Sequence, residues 1–154
     1  MPTSSERTNA LTLHWLVCGA MLLLLLGYNI ICFVWADDVR INLPESQRIM
    51  IRTLLYVIAI SLFPLTNLMR HILLRLNQTM PGEKTAEQRY LVTVIVTQSM
   101  IGVVSLFGLL MFMLGDDINT LYIFTLMGAV GIYLHKPKQT EFQSVVYALT
   151  HKND

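Results

Sequence analysis

Apolar residues fill this chain in four long blocks, at about 11–36, 49–69, 91–114 and 118–134, and the stretches between them and at the two ends of the chain collect nearly all of the charge. A helix rises about 1.5 Å per residue, so some 20 apolar residues cross a hydrocarbon core of about 30 Å. All four blocks are near or above that length. The pattern predicts an all-α integral membrane protein, a four-helix transmembrane bundle with short loops forming a single domain over residues 1–154. A fifth element is expected at 140–150. There Phe142, Val145, Val146 and Leu149 follow the i, i+3, i+4, i+7 spacing of an amphipathic helix that lies in the membrane interface or docks on a partner.

Local signals place the helix ends. Met1–Ala10 reads as a polar tail, Trp35 suits the headgroup level, and Asp37 and Asp38 mark an exit to water. Asn42-Leu43-Pro44-Glu45 reads as a helix start with Asn42 as N-cap. Pro64 should kink the second helix, because it removes a hydrogen bond to the Ile60 carbonyl. Met80-Pro81-Gly82 ends that helix, and Thr85-Ala86-Glu87-Gln88 is a capping box that opens the third. Gly115-Asp116-Asp117 is a tight turn with Asp117 capping the fourth helix, and Pro137 stops it. The first block is too long for a signal-peptide core and is read as a retained anchor.

Composition agrees with lipid as the solvent. The chain is 54% hydrophobic and 14% charged, against about a quarter charged in soluble domains. A net charge of +1 offers nothing to nucleic acid. Cys18 and Cys32 are 14 residues apart, about 21 Å along a helix, too far for an internal disulfide. With four spans, Arg7, Arg70, Arg75, Lys84, Arg89, Lys136, Lys138 and Lys152 share one side, eight basic residues against Arg40, Arg48 and Arg52 on the other. Acidic residues split five and five, so the positive-inside rule places both termini in the cytoplasm, taken as that of a bacterium with the bundle in its inner membrane.

Chemistry is sparse. The middle of each block lacks Asp, Glu, Lys and Arg, whereas transport pathways are usually built on such groups at depth. A polar path would have to combine Asn29, Arg52, Asn67 and Gln98. His14 and His71 are the residues that a b-type haem between helices would use. No metal, catalytic or cofactor set is expected. Helix packing does leave a signature: Ser99, Gly102, Ser105 and Gly108 recur every third residue, and Gly128 and Gly131 give the fourth helix a smooth patch. Small residues allow close backbone approach in lipid, so a tight hairpin of the third and fourth helices is expected.

Gln98-Ser99-Met100-Ile101-Gly102-Val103-Val104, followed by the Gly115-Asp116 turn, resembles the hairpin of rotary-ATPase proteolipid (c-type) subunits. The resemblance covers about 45 residues and implies a proteolipid-like packing style. Those subunits carry a mid-membrane carboxylate; Gln98 cannot titrate, so ion translocation does not carry over. The expected function is non-catalytic: an accessory, assembly or scaffold subunit of a membrane complex, or a self-associating bundle, with lipid and other membrane subunits as partners. A small channel or transporter, and a haem-bearing electron carrier, are the alternatives.

Overall fold

The computed structural model describes residues 4–35, 40–80 and 84–150, and the side chains from residue 11 onward. Five helices account for nearly all of it: α1 (Ser4–Val34), α2 (Glu45–Thr79), α3 (Ala86–Met113), α4 (Ile118–Leu134) and α5 (Gln139–Thr150). Three of them, Leu11–Val34 within α1, α2 and α3, are long and apolar enough to cross a membrane by themselves. The count becomes four if α4 and α5, which meet at a 43° bend, are taken as one span. Of the apolar stretch in α3, 44% is buried inside the protein, against 17% in α1 and in α2. Accordingly α3 is the central post, packed on each of the other four helices, with its most extensive contact to α4.

Three apolar clusters are stacked along this post. The middle one joins Cys18 and Leu25 of α1, Leu55 and Ala59 of α2, Ile101, Val104 and Met111 of α3, and Phe124 and Ile132 of α4. At one end Cys32, Phe112 and Leu121 form a smaller group. At the other, Leu11, Tyr90 and Val94 gather with Leu74 and Phe142. Outward, α1 presents Leu23, Leu24 and Phe33, each at least two-thirds exposed. Large apolar groups left on the outside are what a lipid-facing surface requires.

Tight contact between α3 and α4 comes from their small residues. A methyl group added at Gly108 would sit 2.9 Å from Phe124 Cβ and 3.0 Å from the Leu121 carbonyl oxygen. One added at Gly128 would overlap Ser105 Oγ, and one at Gly131 would press on Ile101. The every-third-residue ridge does not act as one face, however. Steps of three residues fall about 60° short of a full turn, so the ridge winds around α3. Ser99 is exposed, Gly102 lies against Met21 of α1, and Ser105 and Gly108 meet α4.

Several ends differ from their expected form. The polar start of the chain is not an open tail, because α1 already runs from Ser4. Helix α2 begins at Glu45 with Pro44, not Asn42, at the cap position and without a side-chain cap. The reason is that Ile41–Leu43 is used otherwise: Ile41 and Leu43 donate to the carbonyls of Met113 and Leu114 at 2.7 and 3.4 Å, and Asn42 lies against Gly115. Gly115 itself turns at φ 86°, a conformation that glycine adopts without steric cost. Thr85 and Asp117 cap α3 and α4 through bonds to the backbone N–H groups of Gln88 and Asn119, both 3.3 Å. Helix α2 continues through Pro64, whose ring lies on the exposed side. Asp37, Asp38, Pro81, Gly82 and Lys152, used above to place helix ends and charge, lie outside the described residues.

Candidate functional site

Arg70 is a heavily engaged charged side chain among the described residues. It sits on α2, 18 residues after Arg52, which is five helical turns and about 27 Å, so both arginines share one face. Between them that face carries Tyr56, Ala59, Phe63 and Thr66 at alternating spacings of three and four, the periodicity of a packing seam. Tyr56 stacks on Phe124 of α4 with ring centroids 4.6 Å apart, and Ala59 and Thr66 are fully buried.

At one end of the seam, Arg52 pairs with Asp116 in the α3–α4 turn, Nη1 to Oδ1 at 3.2 Å. At the other, Arg70 donates through Nε and Nη2 to both carboxylate oxygens of Glu141 on α5, at 2.6–3.2 Å. Nη1 of Arg70 reaches the carbonyl of His135 at 2.6 Å, and Nη2 that of Lys136 at 3.0 Å. Those are open carbonyls at the C-terminus of α4, where a positive charge also opposes the helix dipole. Gln98 adds its amide to the same end, donating to Ile132 and His135 at 3.2 and 3.1 Å. Tyr90 completes the knot. Its hydroxyl accepts from the Lys138 amide at 2.8 Å and donates to Glu141 at 3.1 Å.

Helix α5 is therefore tied to α2 and α3 within the same molecule. Phe142 and Val145 face inward, with Val145 fully buried, so part of the amphipathic stripe is covered intramolecularly. His14 lies beside it, fully buried, with its ring 5.1 Å from Tyr90 and 6.2 Å from Phe142. Burial holds the His135 imidazole below its usual 6.5, and its Nδ1 contacts the Gly131 carbonyl at 2.9 Å. An unfolded chain takes up that proton first, so the stability of this end is expected to fall as pH drops below about 6.5. Thermal melting at pH 7.5 and pH 5.5 measures the slope; a higher melting temperature at the acid pH contradicts it.

The residues expected to form a polar path do not meet. Arg52 is at one end of the seam and Gln98 at the other. Asn29 is between them, bonded to Thr125 of α4 at 3.1 Å, while Asn67 is exposed on α2. Nor do His14 and His71 frame a shared space: His14 is enclosed, and His71 is exposed beside the inward-facing Arg70. Among the described residues no group of three or more His, Cys, Asp or Glu side chains is placed to hold a metal ion.

Sequence reasoning counts Arg70 toward orientation, reads Glu141 only as part of a cap at Thr140–Gln143, and passes over Tyr90. The signal available was the position of two arginines five turns apart on the apolar stripe of α2. No protein-family model matches the chain, and no curated protein or solved structure is similar to it.

Proposed function

We propose that this is a non-catalytic integral membrane protein acting as an accessory, assembly or scaffold subunit of a larger inner-membrane complex. The observation that carries the reading is the placement of the charged groups. Arg52, through the Asp116 carboxylate, and Arg70, through the His135 and Lys136 carbonyls, fasten α2 to the two ends of α4, about 27 Å apart, close to the thickness of a hydrocarbon core. Between those levels the helix sides are apolar and expose large groups on α1 and α2. Such a construction is rigid at both membrane boundaries and offers smooth sides to neighbouring helices.

The donors of Arg70 and the amide of Gln98 are taken up by holding helix ends together, a structural task. Packing of α3 on α4 through Gly108, Gly128 and Gly131 supports the proteolipid-like style of the second hairpin, without its ion chemistry. In this reading both termini, and with them α5 and the Arg70 knot, are cytoplasmic, as the eight-to-three distribution of basic residues argues.

The test is purification of a tagged chain from native membranes in mild detergent, with mass spectrometry and an absorption spectrum of the same sample. Stoichiometric membrane partners are expected, with no Soret band. A lone homo-oligomer overturns the accessory role, and a Soret band overturns the non-catalytic one. Reporter fusions at the C-terminus and within the Arg40–Pro44 segment are expected to report opposite sides; identical signals overturn the orientation.

A further inference from the structure

At the end of the seam opposite to Arg70, three guanidinium groups converge on one short turn. Arg40, just before α2, donates to the Asp116 carbonyl at 3.3 Å and lies 4.4 Å above the Phe112 ring. Arg48, one turn into α2, donates to the Gly115 carbonyl. Arg52 takes the Asp116 carboxylate. Together with Glu45 and Asp117 these groups line an open cavity of about 330 Å³, within the size range of small-molecule sites.

The charges in this cavity are unevenly used. Asp116 is neutralised by Arg52, and Asp117 is engaged by the backbone and side-chain amides of Asn119. Arg40 and Arg48, by contrast, bond only to neutral carbonyls among the described residues, and Nε of Arg48 is buried with no hydrogen-bond partner. A buried guanidinium nitrogen without an acceptor is costly. Each guanidinium has five N–H donors and bonds a single carbonyl, so most of its donors are open to a bidentate phosphate or carboxylate ligand. Glu45, on the same lining, is exposed and supplies one uncommitted negative charge. Ile49, on the lining, is 45% exposed, and Ile41 and Met50, next in the chain to the lining residues Arg40 and Ile49, are 62% and 67% exposed.

We propose that this cavity binds a phosphate ester bearing a nearby ammonium group, of the phosphoethanolamine type, with the phosphate on Arg40 and Arg48 and the ammonium on Glu45. A purely anionic phosphate would meet Glu45 unfavourably, and a plain amine would leave the arginines unmet. The chemistry is shared by the headgroup of phosphatidylethanolamine and by soluble phosphoethanolamine, and the apolar rim suits acyl chains of the former. The assignment is independent of whether the protein has partner subunits.

The test uses the full-length protein, delipidated in a neutral maltoside detergent. Native mass spectrometry compares phosphatidylethanolamine with phosphatidylglycerol, and calorimetry compares phosphoethanolamine with glycerol 3-phosphate. The ammonium-bearing member of a pair is expected to bind more tightly. Arg48→Gln should weaken it roughly tenfold or more, and Glu45→Gln should erase its advantage over the partner ester. Arg40→Glu, at an exposed position, is expected to fold and carries the same test if Arg48→Gln does not. Arg75→Gln, exposed on the far part of α2, should change nothing. Binding of the lipid alone assigns the source to the membrane, and of the soluble ester alone to a solute; both support the site. Equal or tighter binding of the anionic esters, affinity unchanged in both arginine variants, or no binding in any arm overturns it.

Discussion

Arg70→Met is expected to be the most damaging single substitution in the chain, lowering stability by about 3–5 kcal/mol. Arg70 is only 4% exposed, and its guanidinium serves Glu141, Tyr90 and two carbonyls of the α4 end at once. Removing it leaves the Glu141 carboxylate, whose side chain is 18% exposed, with only the longer 3.8 Å contact to the half-exposed Lys138, and a poorly paired charge at that depth is far costlier than the pair. Helix α5 should undock first, since its remaining hold is Phe142, Val145, the bonds of Tyr90 and the exposed Gln78–Ser144 hydrogen bond. Limited tryptic cleavage after Lys138, which the native protein is expected to resist, is the direct readout. Pairing Arg70→Met with Glu141→Leu should recover a good part of the loss, because both charges are then absent. A double variant as unstable as the sum of the two single ones would mean that the pair itself contributes little.

Gly108→Ala is the second large effect, expected to cost about 1–3 kcal/mol although it adds a single methyl group. Its new Cβ meets the Leu121 carbonyl oxygen and Phe124 Cβ at 3.0 and 2.9 Å. A backbone atom cannot swing aside, so α3 and α4 must separate along their most extensive contact. Gly128→Ala should also be costly, because rotating the Ser105 hydroxyl away still leaves Ser105 Cβ at 3.0 Å. Gly19→Ala, with nothing within 4 Å of its Cβ, should be neutral or stabilising by up to about 1 kcal/mol, since alanine is the better helix former. Denaturant titration in mixed micelles ranks the three. An order with Gly19→Ala as the worst would contradict the assigned α3–α4 contact.

Much of the architecture was legible because lipid imposes a simple rule. Backbone groups must be bonded within each segment, so a long apolar run is a helix, and turn chemistry marks its ends. Gly115 at positive φ, Asp117 and Thr85 as caps, and the stop after Leu134 all follow from residues next to one another in the chain. Asn42 failed as a cap for the opposite reason. Its segment bonds to Met113 and Leu114, about 70 residues later, and nothing local to Asn42 reveals that.

The candidate sites were harder to read. Gln98 and Arg52 look alike in a one-dimensional list of polar residues near spans, yet they belong to opposite ends of the fold. Arg70 looked like an interfacial charge among several. Its burial depends on α5 folding back to bring Glu141 beside it, and on Gln98 and Tyr90 arriving from α3. The three-arginine cavity is similar: Arg40, Arg48 and Arg52 are near in sequence, but the turn that they embrace lies more than 60 residues on.

By itself, then, the order of residues determined the helices and most of their ends, because these rest on hydrophobic length and on bonds between near neighbours. Tertiary structure decided which helix is central, which small residues bear on α4, and where α5 docks. It also decided which charges are buried and which line a cavity. Those outcomes depend on pairing across distant segments, and a side chain's exposure is set by the partner that covers it.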